Sequence, residues 1–147
     1  MQKDIQQTWF FPQPPNEVWE YLTKPELIEQ WLVKTDFKPI VGQKFRFANS
    51  CEAADGLPHF TFCEVLEIIP YKLLSYSWQK GTTEKEIKLH SVVTWTLTGK
   101  DKGTELKLRH DGFTHMEDMI AHTEGWKDCL EKISQLIHAD SHANANA

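Results

Sequence analysis

The feature that most constrains this chain is a change in the spacing of its apolar residues. From about residue 36 to 111 they recur at every second position, and from Met116 onward they recur at helical spacing. Phe45 and Phe47 alternate with Lys44 and Arg46, and Leu74, Tyr76 and Trp78 alternate with Ser75 and Ser77. Val93, Trp95 and Leu97 do so with Thr94, Thr96 and Thr98, and Leu106 and Leu108 with Glu105, Lys107 and Arg109. Such a period sends successive side chains to opposite faces, so the segment reads as an antiparallel sheet with one wet face. Val41-Gly42, Pro70, Lys80-Gly81-Thr82 and the run from Gly99 to Gly103 supply turn residues between the strands. Residues 60–69 break the pattern: Phe60, Phe62, Leu66 and Ile68 share one parity, while Cys63, Val65 and Ile69 share the other. A bulge there would reconcile them.

The helical stretch places Met116, Met119, Ile120, Thr123, Trp126, Leu130, Ile133 and Ile137 on one face and predicts a helix from about Met116 to His138. Gly125 sits in its middle at a cost of about 1 kcal/mol relative to alanine, which predicts a close backbone approach or a bend. The last residues, from Asp140 to Ala147, carry no apolar period and read as a mobile tail. One domain over 1–138 followed by a flexible tail over 139–147 is therefore expected.

Ahead of the sheet, residues 3–11 are rich in strand formers and stop at Pro12, Pro14 and Pro15. Pro14-Pro15-Asn16-Glu17 suits a helix first turn and leads into Val18, Trp19 and Leu22. Thr23 and Glu26 have the spacing of a capping box for a second short helix through Leu27, Ile28, Trp31 and Leu32. The expected order is a strand, two short helices, about six more strands and one long helix. A one-faced sheet needs a cover, and the terminal helix is the only apolar element long enough to provide it. The fold class is then α+β, a twisted antiparallel sheet wrapped around the terminal helix. Its inward parities include Phe47, Trp78, Trp95, Leu108 and His110, whose bulk can hold helix and sheet apart and leave a cavity beside the short helices.

Composition sets the functional limits. A chain of 147 residues with 40% apolar side chains can bury a core without disulfides or structural metal. Sixteen Lys and Arg stand against 21 Asp and Glu, a net charge of -5, which argues against a nucleic-acid partner. No apolar run approaches the ~18 residues of a membrane span, and the start lacks a signal-peptide core, so cytoplasmic residence without membrane insertion is expected. Cys51, Cys63 and Cys129 are odd in number and widely spaced, which predicts reduced thiols rather than a disulfide frame or zinc site. The excess is aromatic, with 6 Trp, 8 Phe and 3 Tyr, so either the core is thick or a cavity is lined with rings.

His110, His115 and His122 have no metal-binding spacing, and neither metal nor cofactor is expected. No Ser-His-Asp or Cys-His nucleophile arrangement is present, and Glu17, Glu64 and Glu67 cannot be paired from sequence. His110 is the best candidate for acid/base chemistry, its alternative being a hydrogen-bonded interior histidine. The rings of Phe47, Tyr76, Trp78, Trp95, Phe113 and Trp126, with Leu108, Met119 and Leu130, read either as core or as the wall of a pocket. In a pocket, His110 and the Tyr76 hydroxyl would orient the ligand. The Met116, Met119 and Ile120 stripe reads as helix-to-sheet contact, with a partner-binding face as its alternative.

Four stretches carry a family resemblance. They are Pro14-Pro15-Asn16-Glu17-Val18-Trp19 with Leu22, Pro25 and Trp31; Pro70 with Leu74 and Trp78; Gly103-Thr104-Glu105-Leu106-Lys107-Leu108-Arg109-His110 with Gly112-Phe113; and Gly125-Trp126 with Leu130. In order and spacing they resemble the activator of heat-shock protein 90 ATPase homologue-like proteins, a branch of the START-like, birch-allergen-like (SRPBCC) helix-grip superfamily. Gln13-Pro14 stands where the family usually has Ala-Pro, and Gln43 where it has a second glycine. The resemblance implies a curved sheet of about six or seven strands gripping the terminal helix. It also implies a choice among hydrophobic-ligand carriers, cyclases or dehydratases, and co-chaperone domains of the stress response. The expected function is binding of a small hydrophobic molecule, aromatic or lipid-like. The alternatives are a co-chaperone-like interaction domain with a chaperone or homodimer partner, and a cavity enzyme of cyclase or dehydratase type.

Overall fold

The computed structural model describes residues 4–48, 60–81 and 87–145. In chain order they form β1 (Ile5–Phe11), α1 (Pro15–Thr23), α2 (Pro25–Trp31), β2 (Lys44–Ala48), β3 (Phe60–Ile69), β4 (Leu73–Gly81), β5 (Ile87–Lys100), β6 (Gly103–Asp111) and α3 (Met116–Ala145). The strands make one curved sheet in the order β1-β6-β5-β4-β3-β2, every neighbouring pair antiparallel. Five strands follow the short helices among the described residues, rather than about six, because residues 87–100 are a single 14-residue strand.

The register joins distant halves of the chain: β1 closes the sheet by pairing Ile5 with His110 and Phe11 with Thr104. Gly103 makes that closure feasible, since a Cβ there would run into the Phe11 carbonyl oxygen and the Phe10 ring. The β5–β6 hairpin turns through Asp101 and Lys102, both with positive φ, a conformation that matches the twist of the flanking strands. In β3 the register shifts between Val65 and Glu67. Thr61, Cys63 and Val65 are buried before that bulge and Ile68 is half-buried after it, so the inward parity changes at Leu66.

The helix termini differ from expectation at two places. Thr23 does not cap α2; it ends α1, and its hydroxyl donates to the Trp19 carbonyl at 2.9 Å. Lys24 is the N-cap residue and Pro25 opens α2, where its missing N–H costs nothing. At the other end α3 continues to Ala145, past the expected boundary at His138 and through most of the segment expected to be a tail. Extending an existing helix needs only one further hydrogen bond per residue, and the alanines here favour it without any apolar face.

α3 lies in the hollow of the sheet with Trp126, Leu130, Ile133 and Ile137 buried. The Trp126 ring meets Trp78 of β4 at 5.1 Å and Trp95 of β5 at 5.5 Å between centroids. α1 and α2 close the interior from the side, with Trp31 edge-on to Trp95 at 6.0 Å. Cys63 is a buried free thiol and Cys129 a half-buried one, whereas Cys51 lies outside the described residues.

Candidate functional site

Phe47, Trp78 and Trp126 converge where α3, the residues after α2 and the sheet diverge. They border a cleft of about 220 Å³, together with Leu32, Val33, Lys80, Ala121, His122, Gly125 and Cys129. α3 borders it with His122, Trp126 and Cys129, and between them the exposed Ala121 and Gly125 contribute little or no side chain. Nothing lies within 4 Å of a Cβ built on Gly125, which overturns the expected close approach there. The glycine leaves space open. Burial in the cleft raises the Cys129 thiol to about 11, with Asp128 adding in the same direction and Lys132 opposing, which keeps it protonated and weakly reactive at neutral pH.

Of the residues expected to line a pocket, only Phe47, Trp78 and Trp126 border this cleft. Trp95, Leu108 and Leu130 are core side chains sealed behind it. Tyr76 is also buried, its hydroxyl accepting from the Trp95 indole at 2.9 Å, and burial drives its pKa upward. Phe113 packs on the His110 ring at 4.6 Å, and Met119 is half-buried beside the core. Met116 and Ile120, from the same stripe, are exposed.

His110 is fully buried and bonded at both nitrogens. The Trp126 indole donates to Nδ1 at 2.9 Å. An indole N–H can only donate, so Nδ1 carries the lone pair and the proton of the neutral ring sits on Nε2. That proton goes to Ser91 Oγ at 2.8 Å, and Ser91 in turn donates to the Trp78 carbonyl at 2.7 Å. Burial, with help from nearby His122 and Lys80, pushes the imidazole down to about 3. A ring whose one lone pair is held by an indole has none left to take a proton from a substrate, so His110 ties α3 to β4, β5 and β6.

His122 takes the place facing the cleft. Its Nδ1 lies 2.7 Å from the Asp118 carbonyl and must donate to it, which leaves the Nε2 lone pair for the Trp78 indole at 3.3 Å. Burial lowers its pKa, opposed by the bond to Asp118. Lys80 is the other polar residue missed from the sequence. It continues the inward parity of Leu74, Tyr76 and Trp78, and a count restricted to apolar residues passes over it. His115 is exposed, bonded to the Thr114 hydroxyl at 3.0 Å, and does not join the other two histidines. Among the described residues no group of three His, Cys, Asp or Glu side chains could hold a metal ion, and no helix is long and apolar enough to cross a membrane.

Two larger hollows, of about 420 and 580 Å³, lie outside this arrangement. The first spreads over Lys44, Phe62, Glu64, Ser77 and Gln79 of the sheet, and the second lies against the β3–β4 turn at Ile69, Pro70 and Tyr71. Neither combines converging indoles with a buried polar group, the combination usual in a small-molecule site.

A curved antiparallel sheet gripping a long terminal helix, with a ring-walled cleft between them, defines a helix-grip protein of the START-like, SRPBCC type. The chain belongs to the family described as activator of Hsp90 ATPase homolog 1-like protein, whose model matches residues 12–138. Among solved structures it is similar to protein MLL2253 from Mesorhizobium loti, at 36% identity and a TM-score of 0.80, over 93% of this chain and 98% of that one. DynU16, a protein in the dynemicin biosynthetic locus, shares the fold at 21% identity and a TM-score of 0.80; the match covers 94% of this chain and 48% of DynU16. The Aha1 dimer from Colwellia psychrerythraea shares it at 16% identity and a TM-score of 0.74, over 91% and 95% of the two chains. No curated protein matches the sequence.

Proposed function

We propose that this protein binds a small apolar molecule in the cleft between α3, the end of α2 and strands β2 and β4. The observation that carries the reading is the pairing of a ring wall with a gap in the helix surface: Phe47, Trp78 and Trp126 border space that Ala121 and Gly125 leave unfilled. An apolar cavity of roughly 150 Å³ suffices for benzene. A cleft of about 220 Å³ therefore suits a single-ring molecule with a short substituent. The cyclase or dehydratase alternative loses its base, because both His110 nitrogens are engaged.

An NMR titration of the Trp78 and Trp126 indole N–H signals with 2-phenylethanol and with phenylacetate tests the reading. Saturable shifts with either molecule, lost in Gly125→Phe while the fold is retained, are expected. No saturable shift with either, or shifts that survive Gly125→Phe unchanged, would overturn it.

A second reading, a protein-interaction domain, draws on exposed Ile40, Val41, Leu66, Ile69 and Tyr71 around the β3–β4 end of the sheet. The Aha1 protein from Colwellia psychrerythraea is a dimer in solution, which makes a second copy of this chain the simplest partner. Sedimentation of the protein across a concentration series separates the two readings, since self-association suppressed by Leu66→Lys would favour this one.

A further inference from the structure

Lys80 is the feature of the cleft that an apolar-ligand reading leaves unused. It follows Trp78 by two residues on β4, so both side chains lie on the concave side, and both residues border the cleft. The residue is half-buried, and among the described residues no carboxylate makes an ion pair with its ammonium. Asp118 of α3 is near enough to favour its charge, and no ion pair joins the two. His122 offers a ligand no donor, since its one N–H is spent on the Asp118 carbonyl and its lone pair on the Trp78 indole. The Trp126 indole N–H is likewise spent on His110. Among the described residues that line the cleft, Lys80 is thus the strong donor left to give, a cation bordering the aromatic rings.

We infer that the molecule taken by the cleft is a small aryl or aliphatic acid, its apolar body between Phe47, Trp78 and Trp126 and its carboxylate on the Lys80 ammonium. The inference rests on the binding reading above and names the ligand class. An ammonium is a cation with three donors and no acceptor, so a carboxylate adds a charge–charge attraction to the bond it accepts, which an alcohol or ether accepting from the same ammonium lacks. A cationic ligand is disfavoured by the same charge. Burial holds Lys80 below the usual lysine range, with Asp118 pulling the other way, and an arriving carboxylate restores part of the stabilisation that lost hydration withdrew.

Phenylacetate and 2-phenylethanol share a ring and a two-carbon arm and differ in charge at the tip. NMR titrations with both, on the wild-type chain and on Lys80→Met and Lys80→Arg, test the assignment. Wild type is expected to bind the acid about tenfold more tightly than the alcohol, the scale of one charge-assisted bond in a partly wet site. Lys80→Met should erase that preference by weakening the acid more than the alcohol, and Lys80→Arg should keep it. Raising salt to about 0.5 M should narrow the wild-type preference, because screening weakens partly exposed pairs. Equal affinity for acid and alcohol in wild type, or an acid preference that survives in Lys80→Met, overturns the assignment and leaves the cleft reading standing. Failure of both molecules to bind overturns the cleft reading and this one with it.

Discussion

At the scale of single residues, His110 shows how strand parity and chemical role separate. The alternation through Leu106 and Leu108 places it inward, and it is indeed wholly buried. What parity does not carry is that Trp126 and Ser91, far away in the chain, occupy its two nitrogens. The same limitation hid Lys80, because a lysine on an inward parity looks like the end of a strand until the helix facing it is known. The buried imidazole has a thermodynamic consequence with a definite sign. Its folded pKa is about 3 against an ordinary 6.5, so below pH ~6.5 the unfolded chain takes up a proton that the folded one refuses. The stability held above pH ~6.5 is therefore lost as pH falls toward about 3, at up to ~1.4 kcal/mol per pH unit, and lowered His122 acts in the same direction. His110→Gln removes the titration while keeping one acceptor and one donor for Trp126 and Ser91. Urea melts at pH 7.5, 5.5 and 4.5 should show a smaller loss of stability on acidification in that variant than in wild type. Parallel losses in the two proteins would mean that the histidine is protonated in the fold.

At the scale of elements, the reading from sequence works where one face is buried and weakens where a terminus or a gap decides. The period-two runs locate β2, β4, β5 and β6 because each must hide its rings, and the mixed parity of residues 60–69 is a true bulge. The Thr23 to Glu26 spacing misleads, since the hydroxyl is captured by the preceding helical turn before it can cap the next one. The end of α3 misleads for the opposite reason, because helix can propagate without burying anything. Gly125 is the instructive case. A mid-helix glycine suggests a tight contact, yet this one is exposed beside an open cleft with no atom within 4 Å of a Cβ placed on it. With nothing to clash, Gly125→Ala gains helix propensity and narrows the unfolded ensemble, which should raise stability by about 0.5 to 1 kcal/mol in denaturant melts. A loss of stability would reinstate the packing argument.

At the scale of the whole molecule, the location of the cleft follows from how unequally the grip closes. Toward the carboxyl-terminal end of α3, Leu130, Ile133 and Ile137 fill the space between helix and sheet. Toward its start the helix offers Ala121 and Gly125, and the buried Phe47, Trp78 and Trp126 rings border the gap left there. The sequence displays both halves of this gradient, but which inward rings border the gap depends on the tilt of the helix across the sheet, and no spacing rule encodes that tilt. A ligand seated there binds the folded chain and has no site in the unfolded one, so its binding free energy adds to global stability. At one hundred times its dissociation constant, phenylacetate should stabilise the protein by about 2.7 kcal/mol, which for a chain of this size raises Tm by about 5 to 10 °C. The rise should grow with the logarithm of ligand concentration, fall in Lys80→Met and vanish in Gly125→Phe, whose own melting stays cooperative. A Tm rise of equal size in Gly125→Phe would place the bound molecule elsewhere on the fold, with the groove at Ile69, Pro70 and Tyr71 the next position to probe by substitution.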